Sequence, residues 1–82
     1  MVKQVVRDEV SPQMRALIFG RVVAAMKIGI DAKIARDHFK LNPSLNIDEQ
    51  LRSLASEHKM RLKKSAIEEA RKQFQRLIQK AI

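Results

Sequence analysis

The chain contains no cysteine. No disulfide and no thiolate metal site can therefore brace it, which suits a reducing compartment. Tryptophan and tyrosine are also missing, and Phe19, Phe39 and Phe74 are the whole aromatic content. Proteins that hold single strands usually stack bases on aromatic rings. Their scarcity argues for contact with a duplex backbone, and so for duplex DNA over single-stranded RNA. Glycine and proline number two each, and both read as punctuation between helices. No Gly-rich phosphate loop, His-Glu-x-x-His or Cys-x-x-Cys pattern occurs. The two histidines, His38 and His58, are far apart and fall on apolar helix faces, where each reads as a half-buried structural side chain. With no nucleophile–base pair or metal constellation to name, the expectation is a protein that is not an enzyme and carries no cofactor or metal. Long apolar runs are lacking too. The longest, residues 16–30, is interrupted by Arg21 and Lys27 and falls short of the roughly 20 residues a membrane span needs. The first ten residues, MVKQVVRDEV, hold no signal-like apolar run. A soluble cytoplasmic protein, nucleoid-associated if its partner is DNA, is expected.

What the chain does have is positive charge. Its 82 residues, enough for one domain, carry a formal charge of +8. The charge is unevenly placed: residues 59–82 hold eight lysines and arginines against two glutamates, Glu68 and Glu69. A clustered basic end favours a polyanionic partner, although charge on a helix face also serves solubility.

The punctuation divides the chain into an all-α domain of about four helices, near 12–28, 32–40, 47–58 and 66–81, with residues 1–10 as a segment expected to be mobile. Ser11-Pro12 suits a helix start, since serine accepts a free first-turn N–H and proline needs none. Gly29 suits the left-handed residue that ends that helix. Asp31 can cap the second, with Ile34, Ala35, His38 and Phe39 inward, and Asn42-Pro43 stops it. Asn46-x-x-Glu49 is a capping box for the third. The opening residues, with Val2, Val5, Val6 and Val10, suit a helix turn or a short strand equally, and Asp8 and Glu9 suit the positive end of the first helix.

The stretch from Glu57 to Phe74 poses the main question: one long basic helix, or two with a joint. The apolar stripe of Ile47, Leu51, Leu54, Ala55 and His58 and that of Ala66, Ala70, Phe74, Leu77, Ile78 and Ala81 are offset by more than about 100°. A straight helix would bury Lys63, at high cost. A slowly drifting stripe on one bent helix is the competing account. Ser65-x-x-Glu68 repeats the capping pattern, so a joint near 59–65 is expected, with Ser65 as the cap. Lys59, Arg61, Lys63 and Lys64 would then stand before a helix N-terminus, where free N–H groups favour an anion. Arg71, Lys72 and Arg76, followed by Lys80, would extend the track along the last helix. A helix-turn-helix is a further pattern, but Lys59 stands where its turn usually has glycine.

Two functions follow. The first is a small basic nucleic-acid-binding protein, a DNA-binding regulator or nucleoid-type accessory. The second is an adaptor or inhibitor docking a larger protein through the first helix, which is apolar nearly all round. That helix also suggests a homo-oligomer, an intertwined dimer among the forms it could take, with Leu17, Phe19 and Val23 in or beside the interface.

Overall fold

Residues 11–81 are described by a computed structural model. The expectations for residues 1–10, including Asp8 and Glu9, lie outside them. Four helices follow in order: α1 Pro12–Met26, α2 Ala32–Leu41, α3 Ile47–Glu57 and α4 Lys64–Ala81. Among the described residues there is no strand, and no helix is long and apolar enough to cross a membrane.

Local chemistry sets most of the ends. Ser11 Oγ accepts from the Met14 N–H at 3.1 Å, with Pro12 at the first helical position. Asp31 accepts from the Ile34 N–H at 2.8 Å. Asn46 and Glu49 form the reciprocal capping box, at 2.9 and 3.1 Å. α1 stops two residues earlier than the sequence suggests. Lys27 itself adopts φ +56°, and Gly29 follows at φ +88°. This early turn brings Ile30, only 3% exposed, back into the core.

α1 is the central element. Its buried residues, Ala16, Ile18, Phe19, Gly20, Val22 and Val23, span about 200° of helix surface at about 100° per residue. α2 covers one flank and α4 another. Ala32 at the start of α2 lies on Gly20, and Phe39 near its end lies by Pro12 and Gln13, so α2 folds back along α1. The fit there is tight: a Cβ on Gly20 would stand 2.7 Å from the Ala32 carbonyl oxygen. Gly20 is therefore not punctuation but a site of close approach between α1 and α2. Three rings tie the layers together, Phe19 to Phe39 at 5.3 Å between centroids and Phe39 to Phe74 at 6.3 Å. Leu51, Leu54, Ile67 and Ala70 complete the core.

Two of the residues expected in or beside a dimer interface are buried within a single chain. Phe19 and Val23 are both 0% exposed within a single chain, because α2 and α4 already cover that side of α1. Leu17, 41% exposed, stays on the uncovered strip with Met14. Ile34, expected inward, is also 41% exposed, since α2 turns Ala35, His38 and Phe39 to the core instead.

α2 and α3 meet through a polar bridge. His38, 5% exposed, places Nδ1 2.8 Å from Gln50 Oε1. Gln50 is wholly buried and donates through Nε2 to the Asn42 carbonyl. Asn42 Nδ2 in turn donates to the His38 carbonyl at 3.0 Å. Because the Gln50 amide nitrogen faces a carbonyl, its oxygen faces His38, and Nδ1 must carry a proton. This closed set satisfies groups that would each cost about 1–3 kcal/mol if buried alone.

Candidate nucleic-acid interface

The joint between α3 and α4 is real, and its construction explains why the cations are displayed. After His58 the chain makes two bonds back into α3: Lys59 N–H to the Ser56 carbonyl at 3.0 Å, and Met60 N–H to the Ala55 carbonyl at 2.9 Å. This is the paired C-terminal closure of a Schellman motif, with Lys59 at the left-handed position, φ +56°. Glycine is usual there. Beyond it burial alternates: Met60 and Leu62 are packed against the core, while Lys59, Arg61 and Lys63 are exposed. The two apolar anchors fix the segment and leave the three charges outward.

The cap of α4 differs from expectation. The Lys63 carbonyl accepts from Ala66 and Ile67 N–H at 3.0 and 3.1 Å, and the helix begins at Lys64. Ser65 thus lies inside the first turn and cannot be the N-cap. The Ser65–Glu68 pattern is a coincidence of composition at this register.

A cleft of about 370 Å³ opens beside the joint, lined by Arg52, Ala55, Met60, Arg61, Leu62 and Lys64, with Ile67 at its base. Among the described residues, no carboxylate lines it. Arg61 and Lys64 are brought together here as sequence positions suggested. Lys59 and Lys63 are exposed on the same joint but do not line the cleft. Arg52 joins them from α3, one turn before Ala55. The sequence signal for Arg52 is weak, because its place opposite the joint depends on how α3 and α4 close.

The last helix carries fewer unpaired cations than the sequence suggests. Arg71 is not a free cation: its Nη1 lies 2.9 Å from Asp48 Oδ2, joining α4 to the first turn of α3. That partner is 23 residues away in sequence, beyond any local reading. Asp48 Oδ1 is left buried with no hydrogen-bond partner among the described residues. Lys72 and Arg76 are exposed, and neither is in an ion pair among the described residues. With Lys80 they follow one line along the outside of α4, separate from the cleft.

The histidines divide. His58 is exposed rather than half-buried, and its Nδ1 lies 3.1 Å from the Leu54 carbonyl at the end of α3. His38 Nε2 lies 3.2 Å from Ser53 Oγ, while Gln50 orients the other nitrogen. This superficially has nucleophile–base–orienter spacing. The Glu57 carboxylate, 3.5 Å from the same Nε2, would repel a developing oxyanion, so the set reads as a structural bridge between α2 and α3. In comparisons with known proteins, no family model, no curated protein and no solved structure matches the chain.

Proposed function

We propose that the protein binds nucleic acid through its phosphates, as a small DNA-binding regulator or nucleoid-type accessory, with the α3–α4 joint as the primary contact. The observation that carries this reading is the joint itself. Lys59, Arg61, Lys63 and Lys64 are exposed, none is in an ion pair among the described residues, and all adjoin the N-terminus of α4. Unpaired N–H groups of that first turn add attraction for an anion. Lys72 and Arg76 extend the positive surface; Arg71 supports the helix instead. The small aromatic content supports duplex DNA as the form bound through its backbone.

The test is affinity for duplex DNA over a salt series. Each phosphate contact contributes about −0.9 to the slope of log affinity against log salt. Replacing Lys59, Arg61, Lys63 and Lys64 together by alanine is expected to flatten that slope by about two to three units, without changing sequence preference. Unchanged affinity and slope would make the joint a solubilising surface. The second reading, an adaptor docking a larger protein, is favoured by exposed Met14, Leu17 and Leu41, the last 80% exposed. A pull-down with and without nuclease separates the two: partners lost with nuclease support the first, and one protein retained supports the second.

A further inference from the structure

The cleft at the joint is more than a row of charges. Its floor is aliphatic: Ala55 and Ile67 are 3% and 4% exposed, and Met60 and Leu62 are partly buried beside them. Its rim carries Arg52, Arg61 and Lys64, and among the described residues no acidic side chain lines it. Phosphates alone give no reason for the floor. A paired duplex offers its backbone as a convex surface and keeps its bases stacked inside. An apolar floor beneath a triple cationic rim fits a ligand with a flat, poorly hydrated body and negative charge within a few ångströms of it. An unpaired nucleotide has that form.

We propose that the cleft receives the base of one unpaired nucleotide, while Arg52, Arg61 and Lys64 hold the phosphates on either side of it. This rests on the phosphate-binding reading above, departs from its duplex form at one position, and adds the class of nucleotide: one unpaired there, whether in a single strand or in a locally opened duplex. Aliphatic side chains take the place that aromatic platforms hold in most single-strand binders. Met60 and the guanidinium planes of Arg52 and Arg61 give the base polarizable surfaces to lie against. The floor side chains Ala55, Leu62 and Ile67 carry no hydrogen-bonding group, and the cations of the rim are engaged by phosphate, so the cleft accepts bases with little sequence preference.

The experiment compares the unaltered protein on a labelled oligothymidylate, on an abasic deoxyribose-phosphate strand of equal length, and on a blunt duplex. The two single strands share their phosphates, so their salt slopes should agree. The base-bearing strand is expected to bind about tenfold more tightly than the abasic one. Leu62→Ser should shrink that preference while leaving the salt slope in place. The unaltered protein alone decides the matter if this variant folds poorly. Equal affinity for the two single strands, with the slope retained, would overturn the proposal and leave phosphate binding intact. No salt-dependent binding to any of the three would remove the phosphate reading and the proposal with it. An oligouridylate arm then assigns the source: tighter binding to it points to RNA, weaker binding to DNA, and equal binding to a cleft that takes the base alone.

Discussion

Two residues with unusual backbone roles govern what this short chain can tolerate. Gly20 sits in the middle of α1, where alanine would be the better helix former by about 1 kcal/mol. The Ala32 carbonyl oxygen, 2.7 Å from the missing Cβ, reverses that preference. Overpacking of this kind costs about 1–3 kcal/mol. Gly20→Ala is therefore expected to destabilise by about 1 kcal/mol net, seen as a fall of several degrees in melting temperature. A rise would mean that α1 and α2 do not approach as closely as described. Lys59 shows the opposite case, a side chain held where glycine is preferred, at φ +56°. Lys59→Gly should raise stability by about 0.5–1 kcal/mol in a denaturant titration. The same change should weaken nucleic-acid binding, since it removes a joint cation. A variant that is neither more stable nor weaker in binding would leave the lysine without a role.

At the scale of elements, the joint between α3 and α4 matters most, and it admits a sharp test. Lys64 is the first residue of α4. Proline is tolerated at that position because the N–H is not used, but costs about 3 kcal/mol or more inside a helix. Lys64→Pro should stay within about 1 kcal/mol of the parent by thermal melting. A loss of about 3 kcal/mol would mean that the helix runs on through 58–63. Ser65→Ala does not decide this question. Inside the first turn it is expected to be neutral or slightly stabilising.

Element ends were the most legible part of the sequence, because Ser11, Asp31 and the Asn46–Glu49 box act within three residues of themselves. The joint was legible for a different reason: the offset of two apolar stripes would have buried Lys63. Gly20 and Arg71 were not legible, since their partners, Ala32 and Asp48, are set by how helices close on one another. Arg52 escaped for the same reason. The cleft needs α3, the joint and α4 at once, and no single segment carries its pattern.

For the whole molecule, the question is whether one copy suffices. The apolar character of α1 argued for a partner chain, yet α2 and α4 enclose most of it. Phe19 and Val23 belong to the core of a single chain. A homodimer remains a proposal carried by the uncovered strip, where Met14 and Leu17 are each 41% exposed beside Arg21. Such a contact buries little that the fold itself requires. Two copies charged at +8 also repel, and at physiological ionic strength that repulsion reaches about 8 Å. Association, where it occurs, should therefore be weak and favoured by added salt, unlike nucleic-acid binding, which salt weakens. Folding and association should be separable. The melting temperature is expected to be the same at about 2 and about 200 micromolar protein, because only a partner needed by the native state makes it depend on concentration. A rise of several degrees across that range would show that a second copy belongs to the folded state. Leu17→Ser would then abolish the rise if the α1 strip is the interface, and leave it unchanged if the copies meet through α2, where Ile34 and Leu41 are exposed.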